Sequence, residues 1–218
     1  MRRLLPQTII TSLLILSVCS IPLITQAVPP TKANQSKTPA TDFLKSQVAT
    51  VLQLTALAIP NAKTKQEIDT KLLGLIKPMM DFPAMSQASL GKHWAKQSAK
   101  QRERFINLFQ ELVFHSYMKK IRTAKNDTEI TYEDESGRDQ GGAEVEAIAA
   151  TKKVEVELRF LLRVGDLKKS ESQFVAEDIV IDEVSLVNNY REEFNKIITK
   201  EGFDGLIKKM EKQVQKVR

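Results

Sequence analysis

Cysteine is nearly missing. The one cysteine among 218 residues is Cys19, and it lies in an N-terminal segment read below as removed on export. The mature chain is therefore expected to have no disulfide, no thiolate nucleophile and no cysteine metal site. Histidine is almost as scarce. His93 and His115 are the only two, far apart and without the one-turn spacing that a helical zinc site needs. Glycines are few, and Gly137, Gly141 and Gly142 fall between two predicted strands as turn residues, not ahead of a helix where a phosphate loop would need them. No nucleophile-elbow pattern occurs. Ser185 sits at a strand end without a neighbouring glycine, and a triad would have to recruit one of the two histidines. The sequence thus offers no catalytic constellation and no internal repeat.

The chain begins with the marks of an export signal. Arg2 and Arg3 form a basic start, Ile9 to Ile24 is mostly apolar, and Thr25-Gln26-Ala27 ends in a small residue suited to cleavage. Residues 1–27 are read as a signal peptide, not an anchor, because Pro22 breaks the apolar run. Leu16-Ser17-Val18-Cys19 is a poor lipoprotein box, since Val18 is too large for the cleavage position. The signal carries two of the six net positive charges. What remains is a mildly basic surface with acidic and basic residues intermixed, much weaker than a nucleic-acid footprint. Residues 28–40, "VPPTKANQSKTPA", read as a flexible linker, and 41–218 as a single domain.

Within that domain the hydrophobic period changes twice. Helices are predicted from Thr41 or Asp42 to about Ile59, from Thr64 to Ile76 before Pro78, and in short pieces up to Gly91. A longer helix starts at Ser98, which has capping-box spacing to Gln101, and carries Phe105, Leu108, Phe109, Leu112 and Val113 on one stripe. Period two follows. Strands are expected at Thr128–Glu135, at Ala143 to Ala149, at Val154 to Val164 and from Gln173 to about Val187. Two helices, Asn189–Lys200 and Phe203 to about Val217, close the chain around Gly202. Segregated blocks of this kind predict an α+β fold, with helices covering one face of an antiparallel sheet of about four strands.

The charged clusters read mainly as solvated faces. Glu133, Asp134, Glu135, Asp182 and Glu183 alternate with apolar residues as a half-exposed strand requires. Lys119-Lys120, Lys152-Lys153 and Lys168-Lys169 read the same way, with docking to a membrane or an acidic partner as the alternative. Asp178 differs, because it lies beside the presumed core of the last strand. The polar knot Asn188-Asn189-Tyr190-Arg191 sits where that strand hands over to a helix. Either asparagine could cap the helix, and nothing nearby supplies a catalytic base.

Two stretches together resemble a known family. "DFPAMSQASLGKHWAKQSAKQRERFINLFQELVFHSY", Asp81 to Tyr117, carries Asp-Phe, Leu-Gly-x-x-Trp and Gln-Arg-x-x-Phe-x-x-x-Phe. "FVAEDIVIDEVSLVNNYREEFNKIITKEGFDGLIKKM" carries Asp-Ile-x-Ile-x-x-Val-Ser-Leu-Val and Asn-Tyr-Arg-x-x-Phe. Both resemble the MlaC-type periplasmic phospholipid-binding proteins, the toluene-tolerance family of ABC-transporter auxiliary components. The pattern departs at Phe174, often Trp in the family, and at Glu183, often Gly. The resemblance implies a noncatalytic, metal-free and cofactor-free monomeric carrier in the periplasm, with a phospholipid as cargo. It would exchange that lipid with an outer-membrane lipoprotein complex and with an inner-membrane ABC transporter through its MCE-domain subunit, maintaining outer-membrane lipid asymmetry. The headgroup would stay near solvent, with little headgroup specificity.

Under that reading the cavity wall is expected from Val154, Val156, Leu158, Phe160 and Leu162, opposed by Val145, Ala147, Ile179 and Ile181, with Phe105, Phe109 and Leu112 of the long helix. Trp94, Tyr117, Asp178, Ser185, Tyr190 and Arg191 are expected to hold the architecture. Two alternatives stand beside it. One is a carrier of another apolar lipid, hopanoid-like or sterol-like. The other is a cavity enzyme using Asp178 or Tyr132 as an acid–base group.

Overall fold

The computed structural model describes residues 39–57, 59, 61–124, 128–152, 154–166 and 173–217. The signal peptide and most of the linker expected from the sequence lie outside them. Five α-helices and five strands follow one another: α1 (Pro39–Thr55), α2 (Ala62–Ile76), α3 (Phe82–Leu90), α4 (Ala99–Ala124), β1 (Glu129–Gly137), β2 (Ala143–Ala150), β3 (Glu155–Val164), β4 (Phe174–Ile181), β5 (Val184–Ser185) and α5 (Leu186–Val217).

The helix ends follow local chemistry. Asn61 caps α2 by accepting the Thr64 N–H at 2.9 Å, and Asp81 caps α3 by accepting the Ala84 N–H at 3.0 Å. Ser98 and Gln101 form the reciprocal capping box ahead of α4, with the Ser98 N–H donating to Gln101 Oε1 at 2.9 Å and the Gln101 N–H to Ser98 Oγ at 3.3 Å. Gly202 breaks α5 into two helical halves with φ 72° and ψ 177°, a backbone only glycine adopts without strain.

The sheet is antiparallel in the order β1-β2-β3-β4-β5. It has one strand more than the sequence suggested. The stretch read as a single last strand folds back at Asp182 and Glu183, whose φ values of 46° and 64° make a two-residue hairpin turn. Ile181 then pairs with Val184, and Val180 with Ser185. Such turns usually carry Asn or Gly. Here Asp182 suits the first turn position but Glu183 stands where Gly is usual, so the alternation reads straight through the turn.

Three apolar clusters result. The largest is helical, built from α3, α4 and α5 around Phe105, Phe109, Tyr190, Phe194 and Leu206. A second covers one end of the sheet, where Ala40 and Leu44 of α1 bury Ala143, Val145, Leu162, Phe174 and Ala176. The third joins α1, α2 and α4 through Val51, Ile68, Leu72, Phe114 and Met118. Met80 touches both the first and the second, and pairs with Ala176 at the edge of β4.

Candidate functional site

The register of β1 to β4 decides which side chains share a face. Val145 pairs with Phe160 and Ala147 with Leu158; Phe160 then pairs with Ile179, and Leu158 with Ile181. Side chains alternate between faces, so Val145, Ala147, Val156, Leu158, Phe160, Leu162, Ile179 and Ile181 all lie on one face. Eight of the residues expected from the sequence therefore come together. The other face carries Glu144, Glu146, Glu157 and Arg159, with Arg159 bridging Glu144 at 3.3 Å and Glu183 at 2.9 Å.

The apolar face is closed at one end and open at the other. Val145 and Leu162 are fully covered under α1. Toward the opposite end Val156, Leu158, Ile179 and Ile181 are only half-buried, as are Ala149 and Ile130 in the neighbouring strands. Such a run of incompletely covered aliphatic side chains is what an acyl chain needs for shelter. Val154 is placed differently. It precedes β3, in the turn after β2, and is 58% exposed.

Phe105, Phe109 and Leu112 sit in the helical core, away from the sheet. Phe105 and Phe109 stack at 5.8 Å, and each meets Phe194 edge-on at 5.5 and 5.8 Å. Tyr190 adds an edge-on contact to Phe109 at 5.1 Å. This is dense aromatic packing, fully buried.

The motif residues join elements. Asp178 accepts hydrogen bonds from the Ile179 N–H at 2.9 Å, the Val187 N–H at 3.0 Å and the Ser185 hydroxyl at 2.5 Å. Ser185 in turn accepts the Asn188 N–H at 3.0 Å, so the serine, not an asparagine of the knot, caps α5. Arg191 donates to the Ala88 carbonyl at 2.7 Å and lies against Gly91, whose φ of 51° ends α3. Trp94 carries the Arg102 guanidinium 5.0 Å from its ring centre. Tyr117 is pushed above the usual phenol pKa by burial and then by the Asp178 charge; burial raises Tyr190 to about 12. These groups tie β4, α3, α4 and α5 together.

Three concavities are bounded by described residues. One of about 270 Å³ is lined by Glu146, Glu157 and Arg159 together with Ala147, Ile148, Leu158 and Val180. One of about 520 Å³ lies between Arg138 and Glu177. One of about 460 Å³ runs between Leu112, Ile197 and Met210, rimmed by Lys209, Lys212 and Lys216. Among the described residues no group of His, Cys, Asp or Glu side chains is arranged to hold a metal ion, and no helix is long and apolar enough to cross a membrane.

The model of the family described as MlaC protein matches residues 47–212. This chain belongs to the MlaC family. A solved structure with the same fold is the phospholipid-binding protein of Ralstonia solanacearum in complex with a phospholipid. It is similar at a TM-score of 0.68 and 18% identity, over 83% of this chain and 99% of that one. No curated protein matches. What reading the sequence missed of this MlaC-family site is the part played by α1. Its apolar stripe was legible, but an amphipathic stripe does not name the surface it covers.

Proposed function

We propose that this MlaC-family chain is a noncatalytic phospholipid carrier that shelters acyl chains on the half-open end of its apolar sheet face. The observation that carries the reading is the graded cover of that face, sealed at Val145 and Leu162 and open at Val156, Leu158, Ile179 and Ile181. Each buried methylene is worth about 0.8 kcal/mol, so two chains of ~16 carbons represent on the order of 20 kcal/mol that a shuttle must not expose to water. Family membership and the phospholipid held by a protein of the same fold support the cargo class. They also support a periplasmic role between an outer-membrane lipoprotein complex and an inner-membrane ABC transporter with its MCE-domain subunit. The acid–base alternative is disfavoured by Asp178, whose oxygens accept three hydrogen bonds within the β4–α5 junction and so serve the fold.

The test is native mass spectrometry of protein purified from envelope extract, followed by lipid analysis. Stoichiometric phospholipid is expected, and a hopanoid-like cargo would be identified by the same extraction. Leu158→Asp and Phe160→Asp are expected to be secreted and to come out lipid-free, because each places a charge against the chains. Full lipid retention by Phe160→Asp would show that the wall lies elsewhere.

A further inference from the structure

One cation stands beside the apolar face. Lys45, on α1, holds its Nζ 5.4 Å from the centre of the Tyr132 ring. Tyr132 lies on the apolar face, paired with Ala147, which faces Leu158 in β3. Its ring is half-buried, and burial pushes the hydroxyl pKa up to about 12, so the ring is neutral at physiological pH. Lys45 makes no ion pair among the described residues. Thr41, one helical turn before Lys45, donates its N–H and its hydroxyl to the carboxylate of Glu135 in β1, both at 2.7 Å.

The neighbours of Lys45 on its own helix give it a context. Val48 and Leu52 follow at i+3 and i+7, on the same side of α1, and both are half-buried. A charged head therefore leads a strip of aliphatic side chains, the order of groups found in an amphiphile. The lysine stem can lie along apolar surface while its ammonium stays in water. The aromatic face below restrains the side chain, so less rotamer freedom remains to be lost when an anion arrives.

We propose that Lys45, held over the Tyr132 ring, anchors the phosphate diester of the cargo at the rim of the apolar face, an inference that rests on the carrier reading above. The anchor is a charge-assisted hydrogen bond from the ammonium to a phosphate oxygen. Because every phosphoglyceride carries that diester, the contact raises affinity for phospholipid over an uncharged diacyl lipid without telling headgroups apart.

The experiment loads delipidated full-length mature protein from vesicles and reads the bound lipid by native mass spectrometry. Three probes share the same acyl chains: dioleoyl phosphatidylglycerol, dioleoyl phosphatidylethanolamine and dioleoylglycerol. Lys45→Ala is expected to lower retention of both phospholipids about tenfold and to leave dioleoylglycerol unchanged, with Lys45→Arg restoring the phospholipids. Equal loss of all three lipids would make Lys45 a packing residue and overturn the anchor, as would no loss of any. Inorganic phosphate at millimolar concentration is expected not to displace the phospholipids. Displacement from wild type alone would assign the cation to free phosphate instead. A wild-type protein that loads none of the three lipids fails the carrier reading itself, whereas one that loads all three regardless of Lys45 fails only the anchor.

Discussion

Tyr132 and Tyr190 sit in different cores and share one electrostatic property. Burial raises each phenol to about 12 from the ordinary 10. A raised phenol favours the protonated form in the native state, so the folded protein binds more protons than the unfolded chain between pH 10 and 12. Its contribution to stability is fully present below pH 10 and is lost as the pH rises through 12. Urea midpoints are expected to be insensitive to these groups up to about pH 10 and to fall above it. The double variant Tyr132→Phe/Tyr190→Phe should show a visibly shallower alkaline decline. A wild-type profile as shallow as that of the variant would mean the two rings are more hydrated than their packing indicates. Glu183 is the other residue with a cost of its own. It holds φ at 64°, an arrangement disfavoured for a side chain of this type by about 1 kcal/mol or more, offset in part by its contact with Arg159.

At the scale of elements, the β4–α5 junction concentrates the fold's polar precision. Asp178 and Ser185 satisfy the first turn of α5 from two sides. Ser185→Ala is expected to cost about 1–2 kcal/mol as a lost cap. Asp178→Ala leaves two backbone N–H groups and a hydroxyl to find other partners, so about 3 kcal/mol is expected, measured by chemical denaturation. If the two losses were equal, the carboxylate would be acting only through the serine. The same junction shows what a single sequence can and cannot reveal. The capping box at Ser98, the stripe of α4 and the alternation of β2 and β3 were legible because each is set by residues within a few positions of one another. The Asp182-Glu183 turn was not, since Glu183 occupies the position where a glycine would have marked it. The start of α5 was misplaced by three residues because two asparagines drew attention from the serine before them. Of the candidate wall, eight residues share the sheet face that alternation predicts, whereas Val154 lies in the turn before β3. The separation of Phe105, Phe109 and Leu112 from it depends on where α4 packs, which periodicity does not state.

Across the whole molecule, packing that holds the fold and surface that would hold cargo are different residues. Phe109 is completely buried among aromatic rings of the helical core, whereas Leu158 is half-buried on the sheet. Phe109→Ala is expected to lose about 3–5 kcal/mol of stability while the folded fraction still loads lipid at the wild-type ratio. Leu158→Asp should do the reverse, keeping most of its stability and losing its lipid. A Phe109→Ala protein that stays stable but empty would place the cargo in the helical core.

Among the described residues Met80 belongs to the surroundings of both the helical core and the covered end of the sheet, while polar contacts of Asp178 tie β4 to the start of α5. Under the carrier reading proposed above, the protein would travel one leg of each cycle with nothing aboard. Were cargo needed to complete the core, the returning protein would be the unstable one, open to proteolysis on every empty leg, since a ligand that binds only the folded state also supplies part of its stability. A helical keel that packs without reference to the sheet's open end lets the vessel sail unladen.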